Sequence, residues 1–252
     1  MKTSLIVYLV FSLFFKGWYG PTLPNYKKEI PILCYHNIKN FSVKASPNVK
    51  AYTTTPTRFK EQMKALYDNG YQTISPDELY NYLTHNRPLP PKSILLTFDD
   101  TRVEQFTLAV AEMNKYHFKG VFFIMTVSIG KTGYMTKNQI KKLSQSGHTI
   151  GLHTWDHTAV TRYTESDWNK ELIRPRKQLE CLINKPVNYF SYPFGLWNQK
   201  AISKLKSENF KLAFILSSPK DKTNPEFTVR RKTIAGTWST PTMLQVLQTS
   251  FH

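Results

Sequence analysis

Cysteine is nearly absent. Two cysteines in 252 residues exclude a disulfide-rich scaffold and any zinc finger built on thiolates. No apolar run reaches the roughly 18 residues that mark a membrane-spanning helix. There is no sustained heptad pattern and no internal repeat, which excludes coiled coils and solenoids. Acidic residues are also few, 17 against 34 Lys plus Arg. Disorder is excluded by what is abundant: 16 Phe, 14 Tyr and 5 Trp.

The net charge of +17 suits an anionic partner, such as envelope polymers met through a basic surface, or else a solubilising lysine-rich exterior. The basic residues are spread out, with short clusters at Lys27-Lys28, Lys141-Lys142 and Arg230 to Lys232. No nucleic-acid-binding motif accompanies them, so no nucleic acid is expected. Residues 1–20 read as a signal peptide or N-terminal anchor. Lys2 precedes the apolar stretch Leu5 to Phe15, and Gly17 or Gly20 is the best small residue near a cleavage point. The competing reading of that stretch is a first buried strand or helix. Export implies a secreted, periplasmic or envelope-anchored protein. There Cys34 and Cys181 could pair, or Cys34, set in an apolar run, stays a buried free thiol.

From Glu29 onward, short apolar runs alternate with amphipathic segments. Strands are expected at Ile30 to Tyr35, Ser93 to Phe98, Val121 to Met125, Thr149 to His153, Val187 to Tyr192, Leu212 to Leu216 and Phe227 to Ile234. Phe41 to Thr55 reads as a loop. Helices are expected around Phe59 to Tyr67, from the capping box Ser75-Pro76-Asp77-Glu78, along the face Val103, Phe106, Val110 and Met113, and at 136–145, 167–182, 199–205 and 240–250. Pro175 should kink or break the fifth of these. The strands are apolar on both faces, as strands covered on both sides must be. The pattern is α/β with a mainly parallel sheet in one domain, and both an open doubly wound sheet and a closed barrel satisfy it.

Polar clusters fall just past strand ends, where reacting groups collect in such folds. They are His36, Asp99-Asp100, His153 to His157, and Tyr192-Pro193-Phe194-Gly195. Adjacent aspartates past a strand end point to different sides and need not share a role. His153 and His157 are one helical turn apart, which would put both on one side. Two imidazoles and one carboxylate make a zinc-type site with open positions, and a second carboxylate held off the metal can take a proton from water. That combination points to metal-assisted hydrolysis of an ester or amide.

Ile94 to Asp100 (ILLTFDD), Gly147 to His157 (GHTIGLHTWDH) and Phe190 to Gly195 (FSYPFG) resemble, in order and spacing, the polysaccharide deacetylases of carbohydrate esterase family 4 over roughly residues 30–236. The resemblance implies a distorted (β/α) barrel of about seven parallel strands, a single catalytic domain at 28–252, and a monomer. It assigns Asp99 as catalytic base. Asp100, His153 and His157 become ligands of a divalent metal, most often Zn2+, with Co2+ or Ni2+ possible. The backbone N–H near Phe194 becomes the oxyanion donor. The implied partner is an acetylated polysaccharide such as poly-N-acetylglucosamine, peptidoglycan, chitin or O-acetylated xylan. Pro31 to Ile38 (PILCYHNI) is similar to the opening of the biofilm poly-N-acetylglucosamine deacetylases, whose motif order is permuted. On that likeness His36 is the general acid. Tyr192, Pro193 and Trp155 are candidate substrate contacts, and Trp197 is a further aromatic one.

Three positions depart from the family pattern. Thr101 stands where Gly is usual, Phe194 where Tyr is usual, and Ser191 where many members carry an Arg that pairs with the base. Arg231, or else Arg230, is the candidate replacement. The alternative reading is a catalytically altered or inactive member that binds polysaccharide on the same fold.

Overall fold

A computed structural model of the chain describes residues 28–251. The expected export segment 1–20 lies outside the described residues. Among those described, no helix is long and apolar enough to cross a membrane.

The main strands are β1 (Ile32–Tyr35), β2 (Ser93–Phe98), β3 (Gly120–Ile124), β4 (Thr149–Leu152), β5 (Tyr189–Ser191), β6 (Leu212–Ile215), β7 (Val229–Arg230) and β8 (Lys232–Thr233). All pair in parallel, in the spatial order β7-β6-β5-β4-β3-β2-β1-β8. The closure lies at the two ends of that order. Phe227 to Ile234, expected as one strand, is one path that changes partner at Arg231. β7 pairs with β6 (Val229 opposite Phe214), and β8 pairs with β1 (Cys34 opposite Thr233). The Arg231 N–H donates to the Ile215 carbonyl, and the Ile234 N–H to that of Cys34. The segment therefore joins the last strand to the first, and the α/β domain is a distorted (β/α) barrel with seven strand positions.

Alternation along the strands sorts the core. Ile32, Leu95, Val121, Phe123, Tyr189, Leu212, Phe214 and Val229 form one buried cluster, the filling of the barrel. Their strand neighbours Leu33, Leu96, Phe122, Phe190 and Ala213 belong to the larger cluster packed under the helices. Gly151 sits in the inner file, where an added Cβ would fall 2.4 Å from the Phe123 ring. Phe123 can fill the barrel only against a residue without a side chain.

The helices differ from expectation in three places. Phe41 to Thr55 is not all loop. Ser46 caps a short helix, Pro47–Tyr52, whose proline occupies the first turn, and Thr53–Thr54 pairs with Asn37–Ile38. The helical stretch after Asp100 contains a π-turn, Gln105–Ala109, before Val110–Asn114. That extra residue per turn buries Gln105 and leaves Phe106 half-buried. A second π-turn, Asn169–Ile173, precedes Arg174–Ile183. Pro175 has no N–H and would crowd the carbonyl four residues earlier, so the chain widens there rather than breaking.

Candidate active site

The period of two that sorts the core also delivers the polar groups. Continuing the inner file of each strand by two residues leads from Cys34 to His36, from Thr97 to Asp99, from Gly151 to His153, from Tyr189 to Ser191 and from Val229 to Arg231. Asp99, His153, Ser191 and Arg231 are all buried. They meet at the carboxyl end of the barrel beside a cavity of about 370 Å³ lined by His36, Asp99, Asp100, His153 and His157, together with Tyr192 and Phe194.

Asp99 is fixed by charge. Arg231 donates from Nη1 to Oδ1 and from Nη2 to Oδ2, both at 2.8 Å, a bidentate pair. The Ser191 hydroxyl donates to Oδ2 at 3.1 Å and accepts from Arg231 Nη2 at 2.7 Å. Thr97 Oγ1 accepts from Arg231 Nη1. Burial alone would raise this carboxyl, but the guanidinium, helped by His153, holds it well below the usual carboxylate range. Asp99 thus rests as the carboxylate at neutral pH. Gln105 ties the backbone underneath by donating to the carbonyls of Asp99 and His36. Nothing in the helical spacing flags this glutamine, because the π-turn shifts the register.

Asp100 faces elsewhere. It adopts φ +73, and Thr101 follows at +63, so the chain reverses and the two aspartates serve different neighbours. Asp100 Oδ1 lies 3.6 Å from Nε2 of both His153 and His157. The histidines do not reach this point on a helical turn, as their spacing suggested. Thr154 (φ +63) and His157 (φ +71) are both left-handed, and the loop between them curls the rings to 4.7 Å apart. Left-handed residues other than glycine cost about 1–3 kcal/mol each and gather at sites the rest of the fold over-determines.

The three ligand atoms fit a divalent ion. With bonds of about 2.1 Å, tetrahedral ligands stand about 3.4 Å apart, close to the observed spacings. His153 Nδ1 hydrogen-bonds the Ser191 carbonyl at 2.7 Å, which fixes the tautomer and leaves the Nε2 lone pair for a metal. Asp99 Oδ2 is 3.8 Å from that Nε2, adjacent to the trio, but it already accepts from Arg231 and Ser191. Cys34, His36 and Asp99 also lie close enough to form a ligand set. The Arg231 pairing of Asp99 argues against a second ion there. Cys34 is a buried free thiol and Cys181 is free and exposed, so the two do not pair.

The remaining sequence candidates divide. His36 lines the cavity, its Nδ1 3.9 Å from Cys34 Sγ and its ring edge-on to Tyr52. Burial lowers its pKa against the opposing pull of the Asp99 carboxylate. Phe194 is 60% exposed on the rim, edge-on to His157, at φ +60 in the turn that begins with Pro193. Gly195 completes that turn, where a Cβ would stand 2.6 Å from the Leu216 nitrogen. Tyr192 is buried beside the cavity. Trp155 does not line it, because the left-handed turn at Thr154 carries this ring to Lys170, whose ammonium lies 4.3 Å from its centroid. Trp197 donates to the Pro219 carbonyl. Tyr52, Asn48 and Leu216 line the cavity without having been singled out. The Ser46-Pro47 cap signal was the available clue for the first two.

Thr101 solves in another way the problem glycine solves elsewhere. Its hydroxyl accepts the Met125 N–H at 2.8 Å, and its carbonyl accepts the Met135 N–H. Thr101→Gly would relieve about 1 kcal/mol of strain. It would also orphan the half-buried Met125 N–H, at about 1–3 kcal/mol. The expected net result is a loss of about 1 kcal/mol in denaturant unfolding, and a gain in stability would contradict this account of the turn.

Burial drives His153 down to about 4, with Asp99 pulling the other way. The simple expectation that ligation fades below about pH 6 therefore moves lower for this histidine. The folded value lies below the unfolded one, near 6.5, so between them the unfolded chain holds more protons and stability rises with pH. His148, also at about 4, and His36, lowered, act in the same sense. In the presence of chelator the melting temperature should fall as pH drops from about 6.5 toward 4. His153→Gln should flatten part of that slope, and a wild-type melting temperature constant through the window would refute the assignment.

The family model for polysaccharide deacetylase matches residues 86–213. The chain is 29% identical to YxkH of Bacillus subtilis (strain 168), a protein named for the same family, over 73% of this chain and 63% of that one. It is 24% identical to the poly-beta-1,6-N-acetyl-D-glucosamine N-deacetylase of Staphylococcus epidermidis, over 68% of this chain and 64% of that one. The chain therefore spans less than two thirds of either relative. Among solved structures, the Streptococcus pyogenes deacetylase PplD in complex with acetate matches with a TM-score of 0.77 and 26% identity, covering 88% of this chain and 98% of that one.

Proposed function

Because this chain belongs to the polysaccharide deacetylase family, we propose that it removes acetyl groups from an N-acetylglucosamine-containing polysaccharide of the poly-N-acetylglucosamine, peptidoglycan or chitin type. The observation that carries this is one juxtaposition. A carboxylate held ionised by Arg231 stands 3.8 Å from a three-residue ligand set, in a cavity open to solvent.

Asp100, His153 and His157 would hold the metal, Zn2+ or alternatively Co2+ or Ni2+, which when bound supplies Lewis acidity to the acetyl carbonyl and to a neighbouring water. Asp99 takes the proton from the attacking water, and Arg231 and Ser191 keep the carboxylate aimed and ionised beforehand. The Phe194 backbone N–H donates to the carbonyl oxygen as negative charge develops there. His36, after taking up a proton from solvent, donates it to the sugar nitrogen as the C–N bond breaks, and Asp99 returns its proton to solvent, so the products are acetate and a free amine. Tyr192 and Pro193 shape the wall that carries Phe194. The domain at 28–252 is the catalytic unit, and residues 1–20 direct it to the cell envelope or beyond.

Two of the three departures from the family pattern, Thr101 and Ser191, have a compensating contact. Thr101 holds the turn through its hydroxyl, and Arg231 supplies the guanidinium that Ser191 cannot. The test is acetate release from chitin oligomers, poly-β-1,6-N-acetylglucosamine, peptidoglycan and acetylated xylan, with and without chelator. Release from an N-acetylated polymer should vanish with chelator and return with Zn2+. A zinc-loaded protein that releases acetate from none of them would end the proposal.

A further inference from the structure

Beside the catalytic cavity lies a larger groove of about 700 Å³ that shares Tyr52 and Leu216 with it. It runs along Arg230, Arg231, Lys232 and Thr233 of the closing segment. Arg231 of this segment is buried on Asp99, and by alternation its neighbours Arg230 and Lys232 belong to the opposite, outer face. Both line the groove, together with Lys220 and the hydroxyl residues Ser217 and Ser250. No Asp or Glu lines it. Glu29, outside the lining, pairs with Lys220 and with Arg230, each at 2.6 Å, and so fixes two cations while cancelling only one charge. Among the described residues Lys232 pairs with no carboxylate. Of its two aromatic side chains Phe251 is buried, and the exposed Tyr52 is shared with the catalytic cavity, so the stretch along Lys220, Arg230 and Lys232 offers charge rather than a ring to stack on.

We propose that this groove binds an anionic stretch of the same glycan whose acetyl group enters the catalytic cavity, through carboxylate or phosphate substituents on the sugars. The proposal rests on the deacetylase reading and adds the charge of the substrate to it. A positive, hydroxyl-lined groove beside the cavity raises the local concentration of an anionic chain and sets its direction of entry, an electrostatic gain that a neutral chain lacks.

The test measures binding apart from turnover. Three probes of equal length are titrated into the protein: a neutral chito-oligosaccharide, a hyaluronan oligosaccharide carrying carboxylates, and a poly(glycerol phosphate) chain. At low salt, one or both anionic probes should bind about tenfold tighter than the neutral one, an advantage that shrinks at 0.3 M salt. Comparing the two anionic probes distinguishes carboxylate from phosphate. Lys232→Glu, and separately the milder Arg230→Gln, should each reduce the anionic advantage, with circular dichroism confirming the fold. Equal affinity for neutral and anionic probes, or unchanged affinity in both variants, would overturn the proposal. A DNA oligomer binding tighter than either anionic glycan would overturn the glycan assignment. Anionic binding without acetate release from any polymer would sink the deacetylase reading and leave the groove's preference standing.

Discussion

Asp99→Asn should reduce acetate release by about 10²–10⁴-fold, the usual worth of a positioned general base. Metal content should stay at one ion per chain, because Asp100, His153 and His157 are untouched. The variant also carries a folding cost. An amide in place of the carboxylate leaves Arg231, which is fully buried, without its counter-charge and turns an N–H toward Arg231 or Ser191. Removing one partner of a buried pair typically costs about 3–5 kcal/mol. Urea unfolding, metal stoichiometry and acetate release measured on one preparation separate the two effects. Full turnover with the amide in place would mean that Asp99 is not the base.

Arg231→Met should move the acid limb of the activity profile toward higher pH and lower the melting temperature. The sign follows from the two influences on Asp99. With the guanidinium present, the folded carboxyl lies below its unfolded value of about 3.9. Its contribution to stability is then complete above that value and is lost only as pH falls through the depressed folded one. Without the guanidinium, burial remains and raises the carboxyl instead. Asp99 would then take up a proton in mild acid and cease to be a base there. The stability loss is again about 3–5 kcal/mol, from an uncompensated buried carboxylate. Arg231→Lys keeps the charge but not the two parallel hydrogen bonds, so it should fall between wild type and Arg231→Met in both measurements. An unchanged acid limb in Arg231→Met would show that the arginine does not set the ionisation of the base.

Much of this site was legible as spacing. The runs ILCY, SILLTF, TIGL and YFS alternate with amphipathic segments, and a polar group follows each of the first three. Other parts were hidden for identifiable reasons. Gln105 is buried by a π-turn that breaks the helical count. Tyr52 sits on a helix of six residues, too short for a periodic signal against its polar background. Trp155 was a candidate substrate contact as an aromatic residue between the two histidines, but the left-handed Thr154 turns it to Lys170.

The chain alone decides which residues are buried, because the two-residue period of a strand and the 3.6-residue period of a helix are local properties. That was enough for an α/β domain with His36, Asp99, Asp100, His153 and His157 at strand ends. It preferred Arg231 to Arg230 without bringing either to Asp99, and its periodicity alone allowed both an open sheet and a barrel, the barrel coming from the family resemblance. The tertiary structure settles both at once. Val229–Thr233 passes from β6 to β1, the ring closes, and Arg231 meets Asp99 across 132 residues of sequence. Such a contact depends on strand pairing and ring closure, and neither leaves a mark in any short window of sequence.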